Sequence, residues 1–308
     1  MTEPAAAPSR RATVVNTAIS VAIAAALCAY AARGLSADAV REGMGALSLP
    51  VLAGALVVFT ATYYAMEILG FGMTWRRHVW DQMPWSHVRA LVCGKQILFL
   101  VFPLLTKTVG PLYFWRRRRI SPLLAVGASE MIGGAELTVA AAASLAGAVQ
   151  VSFALAAALG AALAIAVALV LLRRAPAIAG LRFFRALREA SAGELWLQLA
   201  FRAAIQAIAL ACVWLLLAGM GARLDLGQLL TFGPIFVISG SSIVSIAGYG
   251  GPQGVAVEVL ANRWGALSAP AALGFSLAWS TGLLVTQTLV GAFHFPRMVQ
   301  LLRAHGDG

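Results

Sequence analysis

The chain has 308 residues, 60% of them hydrophobic and only 11% charged, with a mean hydropathy of +0.84. A soluble domain is nearer roughly 45–50% apolar and about 25% charged, so these figures exclude a soluble globular protein and place the chain among integral membrane proteins. The net charge of +11 is no nucleic-acid signature, because the basic residues cluster between apolar runs, where they serve as topology signals and contacts to anionic lipid.

A membrane span needs about 20 apolar residues, and such runs fall at 14–32, 51–71, 121–147, 151–172, 195–219 and 268–294. Residues 1–13, with Arg10 and Arg11, form a cytoplasmic tail. Ala29-Tyr30-Ala31 resembles a signal-peptidase site, but the run is long enough to span and more spans follow, which favours an uncleaved first helix. The segment 36–50, with Asp38, Arg41 and Glu42, offers no functional signal. In the second span Thr60, Tyr63 and Glu67 share a face, and Glu67 is expected at the cytoplasmic interface.

Two further apolar segments, 91–115 and 228–262, are interrupted. The first holds Gly94, Lys95 and Gln96, then Pro103, Thr106, Lys107, Thr108, Gly110 and Pro111. The second holds Ser239 to Ser242, then Gly248, Gly250, Gly251, Pro252, Gln253 and Gly254, with Glu258 a turn further on. Glycine and proline break the hydrogen-bond ladder, and broken backbone at membrane depth is tolerated only inside protein or against a wet cavity. Both segments therefore read as re-entrant hairpins. With a cytoplasmic N-terminus, that topology puts 16 of the 23 Lys and Arg on the cytoplasmic side, including Arg116 to Arg119, and four outside. A complete crossing at 91–115 turns the four-arginine run outward. The fold class that follows is all-α: a single transmembrane domain over 1–308 with about six full spans and two opposed hairpins, the arrangement an inverted repeat produces.

The basic segment 173–194 is interfacial. Its Leu181, Phe184 and Leu187 alternate with Arg182, Arg185 and Arg188, a pattern that suits either an amphipathic surface helix or a plain orienting loop.

Ionisable groups at bilayer depth are functional candidates by default. The clearest set is Glu194, Gln198, Arg202 and Gln206, spaced by four, a polar stripe that descends about 18 Å along one slowly winding helix face. Arg202 either holds a lipid phosphate or pairs with a buried carboxylate. Gly127, Glu130 and Gly134 share another face, with Gly133 and Glu136 beside it. The glycines permit close helix approach, while Glu130 and Glu136 either pair with Arg202, Lys95 or Lys107 or carry protons. Lys95 and Lys107 offer positive charge to a phosphate, or snorkel to water. Ser280, Thr281, Gln287 and Thr288 in the last span line a polar wall or bond between helices. His78 and Asp81 have no second ligand pair, and Cys28, Cys93 and Cys212 stand alone in apolar runs, so no metal, cofactor, disulfide or catalytic constellation is expected.

Three blocks over residues 60–295 resemble the lysylphosphatidylglycerol synthase transmembrane region, a flippase-like membrane family. They are Trp75-Arg76-Arg77 with Gly94 and the Pro103 to Gly110 segment; Glu130 in the following helix; and Gly250-Gly251-Pro252-Gln253-Gly254 with Glu258. Pro111 replaces the family's usual glutamate, Phe114 its common arginine, and the Gly254 to Glu258 spacing is one residue longer. The resemblance implies a stand-alone lipid-translocating module of the bacterial inner membrane. Its partner is an anionic or phosphate-bearing lipid, received by Lys95, Lys107, Arg202, Gln198, Gln206, Gly250, Gly251 and Gly254, with Glu130, Glu136 and Glu258 balancing charge or coupling to protons. Glu258 is expected to face the basic groups of the first hairpin. The competing expectations are a membrane-embedded headgroup transferase and an accessory scaffold.

Overall fold

The computed structural model describes residues 29, 32–100, 103–151, 153–173, 175, 181–241, 245 and 248–303. The expected tail over 1–13 and nearly all of the first span, 14–32, lie outside these residues. The described residues form helices joined by turns and short irregular segments, with no strand among them. In chain order they form α1 (Ala37–Gly45), α2 (Leu49–His78), α3 (Trp85–Gly94), a 3-10 turn (Lys95–Leu100), α4 (Pro103–Arg118), α5 (Pro122–Val151) and α6 (Phe153–Leu171). A short 3-10 turn (Arg182–Phe184), α7 (Arg185–Glu189), α8 (Ala192–Gly219), α9 (Leu226–Ser241), α10 (Gly251–Val255), a π-helical stretch (Ala256–Arg263) and α11 (Ala269–Arg303) follow.

Among the described residues, four helices are long and apolar enough to cross a membrane: α2, α5 over Pro122–Leu145, α8 and α11. The expected span at 151–172 appears as α6, whose described apolar part, Ala156–Leu171, is shorter. Large apolar side chains face outward along these helices, among them Leu171, Leu289 and Phe293. Water would penalise such a surface and lipid does not. Helix starts follow local chemistry. At α8 the Ser191 backbone N–H donates to Glu194 at 2.8 Å while Glu194 N–H donates to Ser191 Oγ at 3.2 Å, a capping box that satisfies two donors the helix leaves open.

Both interrupted segments are helix, break, helix. From α3 to α4 the chain doubles back, because His87 near the start and Tyr113 near the end share a 2.7 Å hydrogen bond. Burial, then the Arg117 and Arg297 guanidinium groups, push His87 below its ordinary pKa, so the ring is neutral when it meets the phenol. Tyr113→Phe removes this clasp and is expected to cost about 0.5–1.5 kcal/mol, read as a lower melting temperature in detergent. At the second break Ser245 Oγ donates to the Ser239 carbonyl at 2.6 Å and accepts from Gly251 N–H at 3.1 Å. That closure demands glycine: a Cβ on Gly251 would lie 2.7 Å from the Ser239 oxygen, and Gly250 has φ +105°.

Two apolar cores result. One gathers Phe59, Phe232, Phe236, Phe275 and Trp279; the other gathers Phe71, Trp75, Tyr113, Phe114 and Met298. Helix α2 runs through both, and its Glu67 falls between them. The segment set aside as uninformative, 36–50, supplies α1, which crosses α11 so closely that a Cβ on Gly43 would lie 2.6 Å from the Pro270 oxygen.

Candidate functional site

Helices α2 and α8 run antiparallel and meet along a ladder of polar pairs. At the top Glu194 takes Arg77 Nε at 2.9 Å, with His78 Nε2 at 3.3 Å. One turn down, Gln198 Nε2 donates to Thr74 Oγ1 at 2.9 Å and to the Gly70 carbonyl at 3.1 Å. At the next step Arg202 Nη1 pairs closely with Glu67 and lies 3.8 Å from Glu136 Oε2 on α5. The same register sets Gln206 opposite Tyr63 and Tyr64, and two turns further Cys212 Sγ donates to the Ala55 carbonyl at 3.4 Å. Arg202 stands ten residues into α8 and Glu67 eleven from the end of α2, which is about 15 Å along each axis from those helix ends.

The charges at this step are held away from bulk solvent. Arg202 is 1% exposed and Glu67 4%. Taking such ions out of water costs several kcal/mol each unless they are paired, and here the pairing is collective. Lys95, on the 3-10 turn, stacks its Nζ 4.3 Å from the centroid of the Phe71 ring. It is close enough to Glu67, Arg202 and Glu136 to feel all three charges. Two cations and two carboxylates from four elements therefore sum to zero.

Satisfaction is incomplete. Arg202 Nε and Nη2, Gln198 Oε1, both polar atoms of the Gln206 amide and the Tyr64 hydroxyl are buried without a hydrogen-bond partner. Nε and Nη2 form the fork edge that grips carboxylates and phosphates through two parallel bonds. Glu67 and Glu136 occupy the opposite nitrogen, Nη1, so the fork is free. Gly70 lines it: a Cβ there would lie 3.5 Å from Nη2 and 3.1 Å from Gln198 Oε1.

Of the residues expected at the site, Lys95, Gln198, Arg202, Gln206 and Glu136 converge here. Lys107 pairs with Glu130 at 3.0 Å, both partly exposed, and forms a rim within electrostatic reach of Glu136. Glu258 takes a different place. It pairs with Arg263 at 2.9 Å and accepts from Asn262 at 3.1 Å, because the π-helical stretch brings residues five apart onto one side, so the structure does not bring it to Lys107 or Arg202. The amides of Gly250, Gly251 and Gly254 are engaged by Gln253, Ser245 and the Gly250 carbonyl. Gln253 itself donates to Ser280 Oγ at 3.2 Å and to the Ser276 carbonyl at 3.3 Å, fixing the glycine loop to α11.

Glu67 was expected at the interface and is instead the closest partner of Arg202. The span at 51–71 ends seven residues too soon, and α2 continues to His78. The signal is present as a stripe, Tyr63, Glu67, Gly70, Thr74 and His78, at spacings of three and four. Among the described residues no group of His, Cys, Asp and Glu is placed to hold a metal ion. Neither a protein-family model nor a curated protein matches the chain.

Proposed function

We propose that the chain is a lipid translocase of the bacterial cytoplasmic membrane, moving a phosphate-bearing amphipathic lipid between leaflets. The observation that carries this is the free fork edge of Arg202, buried at mid-depth beside Lys95 and unused by the protein's own carboxylates. An oxyanion is the ligand that completes such an edge. In this scheme the N-terminus is cytoplasmic, and the helix-break-helix segments 91–115 and 228–262 re-enter the membrane from opposite sides. The first brings Lys95 to the headgroup, and Lys107 with Glu130 forms the rim it passes. The likeness to the lysylphosphatidylglycerol synthase transmembrane region in the Trp75 to Gly110 and Gly250 to Glu258 blocks points the same way.

Purified protein in liposomes carrying a fluorescent phosphatidylglycerol should expose the inner-leaflet probe to an external quencher. Arg202→Lys, which keeps the charge and loses the fork, together with Lys95→Gln, should slow that exposure at least about tenfold, the loss of roughly 1.4 kcal/mol of headgroup interaction. Translocation by the double variant at the wild-type rate, with the folded protein verified by its melting transition, removes the assigned roles. No translocation by the wild type removes the function.

A further inference from the structure

With all four groups ionised, the charge centre on α2, α5, α8 and the Lys95 turn sums to zero, and its two carboxylates are held unequally. Glu67 is 4% exposed and closes tightly on Arg202 Nη1. Glu136 lies 3.8 Å from the same nitrogen with its side chain 34% exposed. The groups that face Glu136 are Arg202 on α8, Glu67 and Tyr63 on α2, Lys95 on the 3-10 turn and Lys107 on α4. Toward the cytoplasmic end of the same helix, Arg185, Arg188 and Glu189 of α7 pair with one another. A monoanionic phosphodiester seated on the Arg202 fork adds one negative charge to this neutral set. A lone uncompensated charge at this depth is the costliest arrangement available.

Resting on the reading of Arg202 as the headgroup site, we infer that Glu136 takes up one proton for each phosphodiester bound, so that lipid movement is coupled to a proton. The balance is simple. The anion brings one negative charge, a proton from water neutralises the Glu136 carboxylate, and the centre returns to zero net charge. Glu136 is the group that protonates because its hold on Arg202 is the looser and its side chain the more exposed, 34% against 6% for Glu67. Its loose hold on Arg202 Nη1 then lapses, while the phosphate sits on the opposite Nε and Nη2 edge. Glu67 stays ionised and keeps the guanidinium in place.

The test is calorimetric titration of the full chain in neutral-lipid nanodiscs, in two buffers of different ionisation enthalpy. Two probes that stay monoanionic through the working range separate the sources of the phosphate: short-chain phosphatidylglycerol and dimethyl phosphate. For the wild type, about one proton should enter per phosphatidylglycerol bound, and affinity should fall by up to about tenfold per pH unit once Glu136 ionises. Glu136→Gln should bind with no proton uptake and a flat pH profile. Gly70→Ala, which crowds the fork and leaves every charge, should weaken binding while keeping the proton count. Equal affinity and equal proton uptake for dimethyl phosphate assign the coupled site to a soluble phosphodiester. Wild-type binding with no proton uptake overturns the coupling and leaves the translocase standing. Binding of neither probe overturns the anion site itself, and liposome translocation then decides the function separately.

Discussion

Glu67→Ala is expected to cost about 3–5 kcal/mol, because it strands the Arg202 guanidinium at mid-depth with its nearest counter-charge 3.8 Å away. The centre is then left with two cations against Glu136 alone. Adding Arg202→Met to the same chain restores neutrality, since Lys95 and Glu136 still balance, and replaces a buried ion with a side chain of similar volume. The double variant should therefore melt higher than Glu67→Ala alone even though Arg202→Met by itself melts below the wild type, a reversal of sign that independent sites do not give. Thermal unfolding of the four proteins in one detergent measures it. If the two substitutions simply add their losses, the two ions are not a unit and the centre lacks the collective balance described above.

Gly127→Ala is the second large effect. A Cβ at that position would overlap the Phe183 carbonyl oxygen and lie 2.7 Å from its carbon, and a backbone carbonyl has nowhere to rotate. The segment Arg182–Glu189 must lift from α5, at the upper end of the about 1–3 kcal/mol typical of overpacking. Gly134 provides the control. It sits on the same helix with nothing within 4 Å of its Cβ position, so Gly134→Ala should change stability by no more than about 0.5 kcal/mol. Limited proteolysis after Arg182 and Arg185 should accelerate in the Gly127 variant and not in the other. Equal behaviour of the two variants would show that the basic segment does not dock on α5.

The stripe on α8 was legible because its polar residues recur every four positions inside an otherwise apolar run, and periodicity is the one feature of a helix face that a sequence displays directly. Its partner stripe on α2 is equally periodic, but Trp75, Arg76 and Arg77 lower the hydropathy and make the helix seem to end before Thr74 and His78. Glu67 thereby moved from mid-depth to the interface. Glu258 has local partners that its spacing in the sequence did not announce. Its side is set by a π-helical stretch, and five-residue spacing pairs it with Arg263 in that geometry alone. The glycines at 250, 251 and 254 marked a real break in the chain, yet sequence does not show that Gln253 and Ser245 would consume the amides of Gly250 and Gly251. The pairing of Glu130 with Lys107, and of Glu136 with Arg202, had to come from three dimensions, since both carboxylates had several basic residues to choose among.

The ladder between α2 and α8 also limits how this protein moves. Three successive polar layers, Glu194 with Arg77, Gln198 with Thr74 and Arg202 with Glu67, interlock along the two helices. Sliding one helix a single turn past the other would break all three together and part Arg202 from its carboxylate. The pair therefore behaves as a stator. In the proposed translocase, the part expected to rock is α5 with the doubled-back α3 to α4 segment, the side on which Glu136 stands 3.8 Å from Arg202.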